Sequence, residues 1–443
     1  MRIVHITAGA GGRICGSCLH DNALVRSLQK RGSDAILVPA YVPTTTDEES
    51  VAVDRVVLGG VNIWLQEHVP LFRHTPWFLD RLLDSQRLLA WLSRRTGSAR
   101  AADLGPLTCS ALAGEQGHHR KEVEKLAQWL AADLRPDVVH LSNVLLIGLA
   151  RRVRQATGAK IVCSLSGEDI YIEQIPEPHY GRIRKMVRER AADIDQFVAL
   201  NHFYADFMRE YLDVSAEKIT VVPHGVDSTG FPATAPDLSA RRNDRRGRLV
   251  VGFLARACPE KGLEQLVRAL PILAGKSGGR NRDVEVLAAG ATVDSEQGYL
   301  SRCLAMATAL GVADRFRWLG QVDRAGKHAL LESIDVFVMP TVFPEAKGLP
   351  VIEALAAGVP VVAPAHGTFP ELLDDERAGL LHAPGDPADL ARVIGILLDD
   401  VDLAARCGRH GHGLALARHT ADQMAAGHEA VYERLVQPAA IEP

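Results

Sequence analysis

The strongest constraint on this 443-residue chain is its rhythm: short apolar runs alternate with amphipathic stretches of helical period almost throughout. A run of four to six apolar residues between turn formers suits a strand buried on both faces. A helical stretch between two such runs is the crossover that parallel strands require. Strands are predicted over 2–6, 35–38, 138–141, 160–164, 196–200 and 219–222, and again over 249–254, 284–288, 316–319, 336–339 and 359–363. Between the two sets, Gly230, Pro232, Pro236 and the charge cluster Arg241, Arg242, Asn243, Asp244, Arg245 and Arg246 break the rhythm, which predicts a linker over 229–248. The expected architecture is therefore α/β, with two Rossmann-like domains over 1–228 and 249–419. Doubly wound sheets bind ligands at the carboxyl ends of their strands, so two of them facing one another leave a cleft. A last helix is predicted over 420–435, with Met424, His428, Val431 and Leu435 along one side, before a tail to 443.

The stretch 64–120 departs from the alternation. Within it, 77–95 is amphipathic at helical spacing, with Phe78, Leu82, Leu89 and Leu92 on one face. Three readings stay open: an insertion that binds an acceptor, a surface that rests on a membrane, and a helix packed on its own domain. Composition narrows the function. A net charge of −4 lacks the basic excess of a dedicated nucleic-acid binder. Seven cysteines, an odd number, argue against a disulfide framework and for a reducing cytoplasm. No stretch has the ~18 uninterrupted apolar residues of a membrane span, although peripheral contact with the inner face of a membrane stays open.

Chemistry concentrates in the second half. The string Pro344-Glu345-Ala346-Lys347-Gly348-Leu349-Pro350-Val351-Ile352-Glu353 runs from strand end through loop to helix. Pro350 suits a first helical turn, where its missing N–H is harmless. Glu345 then belongs to the loop, and Glu353 sits about one turn into the helix. The N–H groups of a helix start attract phosphate. Carboxylates beside them would repel it unless they face something else, and their natural partner is a diol, which donates to both oxygens of a carboxylate. A helix N-terminus with two carboxylates therefore suits a sugar attached to a nucleotide.

A second string, Gly252-Phe253-Leu254-Ala255-Arg256-Ala257-Cys258-Pro259-Glu260-Lys261-Gly262, follows the first strand of the second domain. Arg256 at the strand end and Lys261 near the next helix start are two cations able to hold a diphosphate. They would also stabilise the charge that grows on it as a leaving group.

With these two strings the chain resembles the retaining glycosyltransferases of the GT-B fold, family 4, over nearly its whole length. The resemblance implies that Glu345 meets the donor sugar hydroxyls, Glu353 the ribose, and Arg256 and Lys261 the diphosphate, with the backbone near Gly348 and Leu349 completing the donor site; Lys347, a departure from the family, is read as an added donor-site cation or as a contact for an anionic acceptor. It implies a nucleotide-diphosphate sugar as donor substrate, a glycan, lipid or small-molecule acceptor, and no cofactor or metal. In keeping with this, the sequence has no HExxH string or acidic metal cluster. It also implies that the last helix crosses back onto the first domain.

The first domain opens on a Gly-rich loop, Gly9 to Cys18, that is not a clean GxGxxG. By resemblance, Gly11 and Gly12 approach donor phosphate or acceptor. Cys15 and Cys18 form a CxxC at a helix start, read as small-residue packing near a ligand or as a redox or metal pair. His20, Asp21, His140, Ser166 and Asp169 are candidate acceptor or sugar contacts, each equally readable as a packed or solvated residue. Two departures from the family stand out. Ser166 occupies the place of a frequent histidine and cannot titrate near neutral pH, and Lys347 occupies the place of a frequent aromatic. The basic stretch 180–190 is read as a solvated helix face or an anionic-lipid contact. Competing functions are a GT-B enzyme that isomerises a nucleotide sugar, a non-catalytic nucleotide-sugar binder, and an NAD-binding oxidoreductase.

Overall fold

The computed structural model describes residues 1–9, 16–59, 104–238, 240, 248–277, 280–292 and 296–437. Gly11, Gly12, Cys15 and the predicted helix 77–95 lie outside the described residues.

The chain forms two compact units, Met1–Gly225 with Ala421–Pro443, and Val226–Thr420. The first holds six parallel strands, β1 (Arg2–Thr7), β2 (Asp34–Pro39), β3 (Val138–Leu141), β4 (Lys160–Leu165), β5 (Gln196–Ala199) and β6 (Ile219–Val221), in the order β2-β1-β3-β4-β5-β6. The second holds β7 (Leu249–Leu254), β8 (Val284–Ala289), β9 (Phe316–Trp318), β10 (Val336–Val338), β11 (Val361–Pro364) and β12 (Gly379–His382), in the order β9-β8-β7-β10-β11-β12. Both sheets are doubly wound. From its first strand each chain segment builds outward on one side and then returns to build on the other, so the order reverses beside β1 and beside β7. That reversal is where such sheets bind ligands. β12 is not expected from the sequence. It is a short edge strand that opens on Gly379 and closes on His382, with too few apolar residues to stand out.

The strands are buried because helices cover both faces. In the second unit, one cluster with Val251, Phe253, Leu266, Leu270, Val286 and Ile394 packs one side, and another with Val250, Phe337, Met339, Ile352, Leu355 and Phe369 packs the other. Period-two burial on both faces explains why these strands read as continuous apolar runs. Leu238, inside the stretch predicted as a linker, is buried in the first of these clusters. The start of that stretch thus belongs to the second unit.

Five helices frame the two strand-order reversals: α1 (Gly16–Lys30), α2 (Leu263–Leu273), α3 (Arg324–Ser333), α4 (Leu349–Ala356) and α5 (Ala421–Val436). The last of these packs on the first unit, as the resemblance implied. Its buried residues Met424, Ala425, His428, Val431 and Tyr432 join the core formed by β1, β3, β4 and α1. Arg31 at the end of α1 donates to Glu429 at 2.6 Å and reaches Asp422 at 3.1 Å, so charge closes the rim of an apolar contact.

Between that helix and the sheet lies a cluster of buried imidazoles. His5 and His140 face each other across β1 and β3, ring centres 4.5 Å apart. His428 lies 5.4 Å from His140, and the rings of His20 and His224 are 4.6 Å apart. Among the described residues, no group of three or more His, Cys, Asp or Glu side chains stands at metal-binding spacing. No helix among them is long and apolar enough to cross a membrane.

Candidate active site

At the reversal beside β7, the loops leaving β7, β10 and β11 converge. The loop after β7 carries Arg256 and Lys261 and turns into α2 at Gly262, whose φ is +71°. A Cβ there would lie 1.8 Å from the carbonyl oxygen of Pro340, just past the end of β10. Only glycine allows this approach, and the contact holds Lys261 against the strand that leads to Glu345. Gly367, after β11, has φ +63° and would place a Cβ 2.5 Å from the backbone nitrogen of Glu345. The Glu345 loop is thereby clasped from both neighbouring strands, and Thr368 N–H donates to Glu345 O at 2.9 Å.

The glutamate string folds as its residues predict. Gly348 adopts the left-handed conformation that starts α4, Pro350 sits in the first turn, and Glu353 lies on the buried face of the helix. Lys261 Nζ donates to Glu345 Oε2 in a close ion pair, and Lys347 N–H contacts Glu345 Oε1 at 3.4 Å. Burial alone would raise the Glu345 carboxyl, but the charges of Lys261 and then Lys347 outweigh it and hold it below the usual carboxylate range. Glu353 has a lysine of its own: Lys327 Nζ, from α3, donates to Glu353 Oε1 at 2.6 Å, with side-chain exposures of 12% and 9%. Both carboxylates are therefore charge-balanced beside a helix N-terminus, which removes the repulsion that two bare carboxylates would present to a phosphate. Arg256 is more open, half exposed, with its Nε 3.4 Å from Glu296 Oε1.

Sequence reasoning missed three groups here. Lys327 lies in an ordinary amphipathic helix, and nothing local marks it. Thr341 and Thr368 lie in the loops that leave β10 and β11. Their Oγ1 atoms are buried and have no hydrogen-bond partner among the described residues. Their position at the carboxyl ends of adjacent strands was a signal that could have found them. His366, between them in the chain, is pushed below its ordinary pKa by burial.

The candidates in the first unit fall into two sets. His140 is fully buried, 2.6 Å from Tyr432 Oη and 2.8 Å from Ser164 Oγ, so both ring nitrogens are engaged. It is a packed structural histidine, the alternative that its sequence left open. Asp21 pairs with His5 at 3.0 Å, and His20 Nδ1 lies 3.4 Å from His224 Nδ1, all inside the same cluster. Ser166 and Asp169 stand apart, at the carboxyl end of β4. Ser166 donates from both its backbone and its hydroxyl to Glu168, at 3.0 and 2.9 Å. Tyr204 Oη donates to Asp169 at 2.6 Å, while burial pushes that carboxyl up.

Two doubly wound parallel units in one chain, with charged groups gathered at the strand ends of the second, define a GT-B architecture. Residues 236–413 match the family described as Glycosyl transferases group 1, and residues 100–229 match Glycosyltransferase Family 4. The D-inositol 3-phosphate glycosyltransferase of Salinispora tropica is 32% identical over 58% of this chain and 55% of its own. The GDP-mannose-dependent alpha-(1-6)-phosphatidylinositol monomannoside mannosyltransferase of Mycolicibacterium smegmatis is 32% identical over 59% of this chain and 67% of its own. The sucrose-phosphate synthase of Thermosynechococcus elongatus superposes with a TM-score of 0.71 at 17% identity, covering 98% of this chain and 99% of that one, which shows a shared fold. The chain belongs to the group 1 glycosyl transferases, family 4. It spans about half the length of the curated relatives it matches first.

Proposed function

We propose that this protein is a retaining glycosyltransferase that moves a hexosyl group from a nucleoside-diphosphate sugar to an acceptor without help from a metal ion. The observation that carries the reading is the pair of lysine-balanced glutamates at the strand-order reversal of the second unit. An ionised carboxylate only accepts hydrogen bonds, and a sugar and a ribose each bring a diol to donate. In this reading Glu345 orients the hexose and Glu353 the ribose. Arg256 and Lys261 stabilise the diphosphate as the bond from its oxygen to the anomeric carbon breaks. The acceptor oxygen bonds to that carbon from the same face, and its proton passes to the departing phosphate oxygen. The anomeric centre develops oxocarbenium character in between. Hydroxyls at Thr341 and Thr368 lie at the same strand ends and suit polar contacts with the donor.

The names of the relatives make GDP-mannose the first donor to try and an inositol-bearing compound the first acceptor. The six described cysteines are buried thiols outside any disulfide, which suits a reducing, cytoplasmic compartment. Thermal unfolding with UDP, GDP, ADP and NAD tests the donor site. One nucleoside diphosphate at 100 times its dissociation constant should add about 2.7 kcal/mol of stability. Glu353→Ala and Arg256→Ala should each abolish that rise. A rise with NAD alone would return attention to the Gly9–Cys18 loop and an oxidoreductase.

A further inference from the structure

We propose that Lys327 is a positioning residue for ribose recognition, acting through Glu353. The inference rests on the donor-site reading and adds a residue that the two motif strings do not contain. Glu353 is nearly buried, and a lone ionised carboxylate there would be strongly disfavoured. Lys327 offsets that cost and sets the carboxylate's plane through the 2.6 Å contact to Oε1. That leaves a carboxylate of fixed orientation with its charge countered by an ammonium, placed to accept from ribose hydroxyls next to a diphosphate.

Lys327 is itself held in place. The side chain of Asp323 caps α3 by accepting from Gly326 N–H at 2.8 Å. Arg324, one turn before Lys327, donates to the carbonyls of Thr229 at 2.7 Å and Asp227 at 3.2 Å. The ring of His328 meets Phe231 edge-on, with centres 4.7 Å apart. The first turn of α3 is thus pinned to 227–231, and the ammonium that orients Glu353 projects from a fixed helix rather than from a loop. A pre-set carboxylate recognises a diol better than one that must be ordered by the ligand.

The test is calorimetric binding of UDP, GDP and ADP, and of their 2′-deoxy forms, to the full chain. The wild-type protein should prefer the best-binding ribonucleotide to its deoxy form by about 10- to 100-fold, the range of one charge-assisted hydrogen bond. Lys327→Met should reduce that preference at least about fivefold while leaving deoxynucleotide affinity within about threefold, and Lys327→Arg should restore part of it. Because a lone buried Glu353 charge could unfold the Lys327→Met protein, the Lys327→Met/Glu353→Gln double variant removes both charges together. It should show the same reduced preference, a non-additive result. An undiminished ribose preference in either variant overturns the proposal, as does an equal loss of both ligands in a protein that unfolds cooperatively. Failure of the underlying reading looks different: wild-type protein would bind none of the three nucleoside diphosphates, and the proposal would fall with its premise.

Discussion

The two units reverse strand order at the same place and fill that place with opposite chemistry. Beside β1, the first unit packs His5, His20, His140, His224 and His428 with Asp21 and Tyr432 into a buried network. Beside β7, the second unit sets Lys261 against Glu345 and Lys327 against Glu353. Burial drives His140 far below its ordinary pKa, and His428 down to about 4, so these imidazoles stay neutral. The charges of Lys261 and Lys347 hold the Glu345 carboxyl below the usual range against its burial, and Lys327 pairs with Glu353. The same topological position can therefore serve as a joint or as a site. Buried rings packed against one another and against Tyr432 hold α5 to the sheet. Paired charges that still have hydrogen-bonding capacity can meet a ligand.

The comparison breaks most visibly at Glu345. Glu345→Ala removes the carboxylate and leaves Lys261 without its partner, so donor-dependent product formation should fall by about 10²- to 10³-fold, the usual loss for one transition-state contact. Steady-state kinetics on a protein with unchanged unfolding behaviour would check this. A drop of less than about fivefold would make the second reversal as structural as the first.

The next effect belongs to the histidines. Between pH 6.5 and 4 the unfolded chain binds a proton at His428 that the folded chain refuses. Stability should therefore be flat above that window and fall on acidification through it, by on the order of 3 kcal/mol. The groups that face His428 are His5, His20, Asp21 and His140 from the sheet and α1, and Tyr432 from its own helix. Urea unfolding at a series of pH values should show the slope, and His428→Gln should flatten it. Smaller still is Tyr432→Phe, which takes away the hydroxyl that meets His140 Nδ1 at 2.6 Å. It should destabilise the protein by about 1 kcal/mol and leave sugar transfer within about twofold, since it touches the joint alone.

The same contrast explains what the sequence made legible. The glutamate string, the Arg256…Lys261 string and the strands of both sheets are local patterns, and eleven of the strands could be placed from apolar runs bounded by turns. Glu345, Gly348, Pro350 and Glu353 fall where strand end, loop and first helical turn require them. The histidine network could not be seen that way. Its members come from residue 5 to residue 428, and each taken alone is an isolated histidine in a strand, helix or loop. Lys327 was hidden for a related reason. Its partner is 26 residues away, and the contact exists only because α3 and α4 flank the same strand end. Patterns along the chain exposed the motif half of the candidate site. The lysines that balance it needed the fold.

The central claim is that the second reversal is built for transfer from a nucleoside-diphosphate sugar. It is tested most directly by incubating the full chain with GDP-mannose, UDP-glucose and ADP-glucose, an inositol acceptor and a chelator, and reading the product by proton NMR. The expected result is acceptor-dependent release of one nucleoside diphosphate and a glycoside with the anomeric configuration of its donor, lost in Glu345→Ala. A product of inverted configuration, or turnover that survives that substitution, would contradict it.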